Sequence, residues 1–324
     1  MTEPWRDAVL LGTKAKIITN TTIVQTLWSG YGKIIRAGLS GSDISSCIVK
    51  HIHPKMSGYH PRGWNTDISH ERKLSSYRVE SNWYKHWAQH CNTHCRVPKC
   101  YMLDSNAEMT TLVLEDIDAS GYPIRHSSLK PNSLLGCIQW LAYFHAKFLD
   151  EAPQGLWPTG TYWHLATRPD EFKAMPASEL KDAAKLLDKK LSECQFQTLV
   201  HGDAKLANFC FSNNSERVVA VDFQYVGGGC GIKDLAYFIS SCLNEKQSQQ
   251  YEAQILDDYF YHLKAALKHY DKNIDTNALE VEWRQLYAVA WADFTRFLLG
   301  WMPNHKKLNA YTAAKTAQAL KLLS

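Results

Sequence analysis

The chain has 324 residues, 45% of them hydrophobic, enough for two lobes with a core each. Its formal net charge of +4 is spread along the sequence without a Lys/Arg block, so nucleic acid is not an expected partner. No run of about 18 apolar residues is present to span a membrane. The start, MTEPWRDAVLLGTKAKI, lacks the basic region and long apolar stretch of a secretory leader, so none is expected. Nine irregularly spaced cysteines, an odd count, read as free thiols in a reducing cytoplasm.

Taken in chain order, Ile23 to Ser29 and Lys33 to Leu39 are β-prone runs around Gly30-Tyr31-Gly32. The turn Ser29-Gly30-Tyr31-Gly32 has the size to cover phosphates with backbone N–H groups, and it equally suits an ordinary hairpin. A third strand is expected within Asp43 to His53, carrying Cys47-Ile48-Val49-Lys50. Met56 to Asp67, rich in Gly, Pro and His, reads as a loop. From Ser69 to about Cys91, Leu74, Tyr77, Trp83, Tyr84 and Trp87 recur at helical steps, with Glu80 among them. Cys100 to Leu103 and Thr110 to Glu115 form a hairpin pair, and Leu112-Val113-Leu114-Glu115-Asp116 leads into a turn-rich connector. Beyond it, Leu134 to Leu149 and Glu179 to Leu191 are amphipathic helices, and the chain past Lys233 is mostly helical. The plan is α+β and bilobal: a small β-rich lobe over residues 1–116 and a larger, mostly helical lobe over 117–324.

The segment Leu199 to Gln224 carries the chemistry. An apolar lead-in reaches His201-Gly202-Asp203; Asn208 follows five residues after Asp203, and a second apolar run delivers Asp222 nineteen residues after it. Two carboxylates and an amide on strand-like segments suit phosphoryl transfer. One Asp takes the proton of an acceptor hydroxyl, while the Asn and the second Asp hold Mg²⁺ on nucleotide phosphates. The register matches the protein-kinase catalytic loop H-R-D-x-x-x-x-N, with Gly202 in place of Arg. Lys205 stands where it would touch the transferring phosphate.

With His201-Gly202-Asp203, Asn208, Val221-Asp222-Phe223 and Asp234-Leu235-Ala236-Tyr237, the chain resembles the kinase-like small-molecule phosphotransferases, which include aminoglycoside phosphotransferases and choline/ethanolamine kinases. It is most similar to the ecdysteroid-kinase-like group, whose E-x-x-F-Y helix signature resembles Glu80-Ser81-Asn82-Trp83-Tyr84. The resemblance implies a protein-kinase-like fold, ATP and Mg²⁺ as cofactors and a small-molecule hydroxyl as acceptor. It implies Asp203 as catalytic base, Asn208 and Asp222 as metal ligands, and Asp234 as support for the catalytic loop. Asp222-Phe223-Gln224 departs from D-F-G, and no A-P-E segment is present, so a protein substrate is not implied.

On the nucleotide side, Lys50 is expected to reach the α/β-phosphates and Glu80 to hold it, with Lys33 the next candidate. Glu115 and Asp116 sit where backbone groups would read the base edge, or in an exposed linker. His86, His90 and His94, with Cys91, Cys95 and Cys100 nearby, read as a solvated or packed cluster, with a zinc site as the alternative. The aromatic stripe Trp283, Tyr287, Trp291, Phe294, Phe297 and Trp301 is core, or a wall for a quaternary ammonium or a bulky apolar alcohol. The leading function is an ATP-dependent kinase; a nucleotide-binding pseudokinase or interaction module and a metal-dependent hydrolase are the alternatives.

Overall fold

Alternation in two neighbouring strands sets the architecture of the first third of the chain. The structure, a computed structural model, describes residues 3–27, 30–53, 67–106 and 108–323. Strands β1 (Ile17–Thr26), β2 (Gly32–Ser40), β3 (Ser46–Ile52), β4 (Cys100–Ser105) and β5 (Thr110–Glu115) form one antiparallel sheet in the order β1-β2-β3-β5-β4. Directly opposed residues share a face. The register therefore puts Ile34, Lys50 and Leu112 on one face, with Arg36, Ile48 and Leu114 beside them. The other face presents Ile35, Ala37, Cys47, Val49 and Val113, which pack with Trp5, Ala8 and Val9 of helix α1 (Trp5–Thr13). With α1 closing its back, the sheet is free to use the other face for a cleft.

Helix α2 (Asp67–Asn82) follows β3 and ends in a π turn, Trp83–Trp87, and a 3₁₀ turn, Ala88–His90. The helix expected to run on to about Cys91 is thus α-helical only to Asn82. A π turn inserts one residue and re-aims the side chains that follow; here Trp83 and Tyr84 both become buried. Helix α1 escaped the sequence reading, as did the first half of β1, whose exposed, Thr- and Asn-rich run shows no alternation.

The remainder is mainly helical: α3 (Leu135–Lys147), α4 (Pro169–Ala174), α5 (Glu179–Asp182), α6 (Ala184–Ser192), α7 (Ile232–Cys242), α8 (Glu245–His269), α9 (Thr276–Trp301) and α10 (Ala310–Lys321). The helix expected over Glu179 to Leu191 breaks at Ala183 into α5 and α6. Asn244 and Asn309 close capping boxes at the starts of α8 and α10, and the Asp275 side chain caps α9. Two short antiparallel pairs lie among these helices, β6 (Thr198–Val200) with β9 (Gly227–Gly229) and β7 (Phe209–Phe211) with β8 (Val218–Ala220). The α+β, protein-kinase-like plan expected from the sequence is the one observed. Among the described residues no helix is long and apolar enough to cross a membrane, and all nine cysteines are free thiols.

Candidate active site

The β7–β8 hairpin brings Asn208 and Asp222 to one end. Asn208 immediately precedes β7, Asp222 follows β8 by two residues, and the Val221 N–H donates to the Asn208 carbonyl at 2.9 Å. Strand β6 delivers His201-Gly202-Asp203 beside them. Gly202 has φ +77°, and a Cβ there would lie 2.0 Å from the Tyr225 carbonyl oxygen. That contact excludes any side chain, which explains why Gly stands where protein kinases carry Arg. His201 accepts the Asp203 N–H at Nδ1 (3.2 Å) and donates from Nε2 to the Val221 carbonyl (3.1 Å), so both ring nitrogens of a neutral imidazole are used. Asp234, fully buried in the first turn of α7, accepts the N–H groups of His201 (2.5 Å) and Gly202 (3.0 Å). His145 donates to the same carboxylate (3.2 Å) and accepts from the Tyr259 hydroxyl (2.7 Å).

Asp203 Oδ2 accepts from Lys205 Nζ (2.8 Å) and from Asn208 Nδ2 (3.0 Å), which also donates to the Asp203 carbonyl (2.8 Å). With its NH₂ group so committed, Asn208 keeps its amide oxygen as an acceptor. Burial pushes the Asp203 carboxyl above the usual carboxylate range, against the pull of Lys205. Burial would raise Asp222 as well, but the charges of Lys50, Lys205 and Lys73 hold it down at about 2. Asp222 adopts φ +70°, and its Oδ1 accepts from Gln224 Nε2 (2.8 Å) and Lys50 Nζ (3.3 Å). Its side chain stays about a third exposed, at 36%. Phe223 is fully buried, stacked on Trp83 at 4.5 Å and against His201 at 4.7 Å.

Across the cleft, Lys50 Nζ meets Glu80 at 2.8 and 2.7 Å from its two oxygens. Both are buried, and Glu80 and Asp222 outweigh desolvation to hold the Lys50 ammonium above the usual lysine range. Lys33, on the opposite register parity, pairs instead with exposed Glu3 at 2.7 Å. Ser29 lies outside the described residues. Gly30 donates to the Leu27 carbonyl (3.2 Å) and Gly32 accepts from the Leu27 N–H (2.8 Å), a tight turn. The Tyr31 ring is buried between Leu27, Ile52 and Tyr77, and its hydroxyl bonds His70 on α2. Glu115 is paired in register with Cys47, and Arg96 (2.6 Å) and the Lys99 N–H (3.1 Å) hold its carboxylate. Asp116 takes Arg36 at 2.8 and 3.1 Å and Ser46 at 2.7 Å. The cleft between the two parts of the chain is a cavity of about 1320 Å³. Ile34, Ile48, Leu114, Cys210 and Val221 make it apolar at one end; Lys50, Asp203, Asn208 and Asp222 meet in its middle.

Two groups here were not legible from sequence. Gln224 Oε1 accepts from Lys73 Nζ (2.9 Å) and Ser76 Oγ (3.3 Å), so the Gln of Asp222-Phe223-Gln224 ties the Asp to α2. The spacing of Lys73, seven residues before Glu80, is the one signal that would have placed both on one helix face. At the far end of the cavity, Phe297 and Trp301 of the aromatic stripe line the wall with Tyr162, Tyr225 and Tyr237. Trp283, Tyr287, Trp291 and Phe294 are core. His94 leaves the helix and stacks on Tyr143 at 4.4 Å, apart from His86 and His90, and among the described residues no metal-holding cluster forms.

Gly202→Ala is expected to destabilise the protein by about 3 kcal/mol or more, from the left-handed backbone and the overlap with the Tyr225 carbonyl; denaturant unfolding measures this. Burial pushes Lys73 down to about 8 from an ordinary 10.5. The unfolded chain therefore takes up this proton first as pH falls, and the stability contributed by neutral Lys73 is lost between those two values. The stability of the wild type relative to Lys73→Met should rise with pH across that window, and a flat difference in paired unfolding curves would contradict the burial of this amine.

Residues 163–272, spanning the catalytic loop and α7, match the model of the ecdysteroid kinase-like family. No curated protein sequence matches the chain. Among solved structures, an amicoumacin kinase determined with AMP-PNP, Ca²⁺ and Ami superposes with a TM-score of 0.50 at 15% identity, covering 93% of this chain and 86% of the other. A microcompartment-associated aminopropanol kinase gives 0.50 at 15% identity, covering 97% and 94%. At such identities the likeness is one of fold. The resemblance stated from the motifs holds: the catalytic segment matches the ecdysteroid kinase-like family, on a chain with the fold of the kinase-like small-molecule phosphotransferases.

Proposed function

We propose that the protein is an ATP- and Mg²⁺-dependent kinase that phosphorylates a hydroxyl group of a small molecule. The observation that carries this reading is the meeting of Asp203, Asn208 and Asp222 with the buried Lys50–Glu80 pair in one cavity. Five residues from four separate segments converge where a triphosphate and an acceptor would meet, and nothing in the packing of a silent module requires that. The nucleotide ligand and Ca²⁺ of the amicoumacin kinase support a triphosphate and a divalent cation here.

The donor set fits a hard cation. Asp222 and the amide oxygen of Asn208 are oxygen ligands on adjacent strand ends, and the depressed carboxyl of Asp222 keeps it ionised. Held by Asp222 and Asn208, Mg²⁺ would supply positive charge that neutralises the charge developing on the transferring phosphoryl. The chain's own residues do the rest. Lys50, fixed by Glu80, would hold the α/β-phosphates, with Gly30, Tyr31 and Gly32 as the turn over them and Glu115 and Asp116 as the hinge beside the base. Asp203 takes the hydroxyl proton as the acceptor oxygen bonds the γ-phosphorus and the bond to the β–γ bridging oxygen breaks, giving a phosphate monoester and ADP. Its raised carboxyl and its hydrogen bond from Lys205 suit a base that must orient the acceptor. Lys205 also faces the transferring phosphoryl. In this reading residues 1–116 cover the nucleotide, residues 117–324 bear the catalytic loop and acceptor site, and the unpaired thiols favour the cytoplasm.

Asp203→Asn should lower turnover by about 10²–10⁴-fold and leave ATP affinity within a few-fold; ADP release and calorimetry read the two, and near-wild-type turnover removes the base role. Asp222→Ala should abolish the gain in nucleotide affinity that Mg²⁺ brings. Calorimetry with and without Mg²⁺ tests this, and an unchanged gain rejects Asp222 as a ligand.

A further inference from the structure

The acceptor end of the cavity is walled by two arginines from distant parts of the chain. Arg72, on α2, donates from Nη1 to the Thr167 carbonyl (2.9 Å) and from Nη2 to Ser69 Oγ (3.1 Å). Arg168, the next residue after Thr167, donates from Nε to the Tyr162 carbonyl (2.5 Å) and from Nη1 to Glu171 (3.0 Å). Both guanidinium groups line the cavity. Among the described residues no carboxylate pairs with Arg72, and neither Arg72 Nε nor Arg168 Nη2 carries a hydrogen bond. Burial and the like charge of Arg168 push Arg72 below the usual arginine range. Two adjacent, half-buried cations thus lie together, with Glu171 ion-paired to Arg168 and Glu171 and Asp170 acting on Arg72 only through space.

The neighbouring aromatic rings do not suit a cationic acceptor. Arg168 already lies over Tyr162 (5.7 Å) and Phe297 (5.4 Å), so an ammonium group seeking those faces would have to displace a guanidinium. Two of the acids nearby are committed as well: Glu171 to Arg168, and Asp203 to Lys205 and Asn208. Tyr225 and Trp301 add flat apolar wall to the same end.

Resting on the kinase reading, we propose that the acceptor is a hydroxyl compound that also carries an anionic group on an apolar ring system, and that Arg72 and Arg168 together bind that anion. An oxyanion would complete the open donors of both guanidinium groups with charge-assisted hydrogen bonds and relieve their mutual repulsion. A carboxylate, a sulfonate and a phosphonate share this chemistry.

The test uses the full chain and a matched set of probes on one ring: hydroxymethyl-naphthoate, the corresponding sulfonate and phosphonate, uncharged naphthalenemethanol, and the trimethylammonium analogue. Calorimetry on the ADP-loaded protein should show at least one anionic probe binding about tenfold or more tighter than naphthalenemethanol, with the ammonium probe weakest; which anion binds best identifies the source. Arg72→Gln and Arg168→Gln should each cut that preference severalfold, and Arg72→Lys should restore part of it. Equal or weaker binding of all three anions overturns the inference, as does a preference that survives both Gln variants. Loss of ATP affinity instead of anion preference would assign the pair to the triphosphate and also overturn it. ADP release separates the two proposals. Turnover of naphthalenemethanol without anion preference keeps the kinase and removes the acidic acceptor. Anion preference in binding with no transfer to any probe does the reverse.

Discussion

The stacking of Trp83 on Phe223 is the contact on which the cleft depends. At 4.5 Å and 13° between planes, it clamps the end of α2 to the residue after Asp222. Phe223 is held on its other sides by Tyr84, Phe144 and His201. Such fully buried aromatic contacts are costly to break. Because α2 is rigid over its length, one anchored end sets the reach of every residue on it. Glu80 then meets Lys50, Lys73 meets Gln224, and Arg72 comes beside Arg168. A single helix therefore supplies a partner to the proposed phosphate site, to the proposed metal ligand and to the proposed acceptor site.

That arrangement also accounts for the departure from D-F-G. A Gly at position 224 would leave Asp222 free to turn with its neighbours. Gln224 instead donates to Asp222 Oδ1 and accepts from Lys73 and Ser76, so the side-chain amide has one workable orientation. The Trp157 indole N–H adds a bond to the Gln224 carbonyl at 2.8 Å. With Phe223 stacked as well, three consecutive residues are held by side-chain contacts, so the order of the segment is built in.

The parts that were legible in the sequence are those whose geometry is local or fixed by strand parity. Asp203 and Asn208 lie on one loop, and a hairpin must return Asp222 beside Asn208. Lys50 followed from a strand with apolar neighbours, and its partner Glu80 from being the best candidate among the acids of the helix that follows. Parity also explains Glu115: its register partner Cys47 lies on the face packed under α1, so the carboxylate finds Arg96 and Lys99. What was not legible depends on the packing of distant segments. Nothing near Gln224 names Lys73, and nothing near Arg168 names Arg72. The α2 break at Asn82 was hidden because a π turn keeps roughly the same apolar spacing while shifting its direction by one residue.

The charges of the cleft follow from the same packing. Lys50, Lys73 and Lys205 surround Asp222, and burying so many like charges is unfavourable unless each is answered. Lys50 is answered by Glu80 and Lys205 by Asp203, whereas Lys73 donates to the neutral Gln224 Oε1 and burial pushes it down. Further out, Arg36 is answered by Asp116 and Asp118, and Arg125 by Asp118, so that end of the cavity is neutralised within the protein. Positive charge is thus left around Lys73 beside the middle of the cavity and at Arg72 with Arg168 beyond it. A polyanionic nucleotide would answer the first. At the second, Glu171 pairs with Arg168, and among the described residues no carboxylate pairs with Arg72.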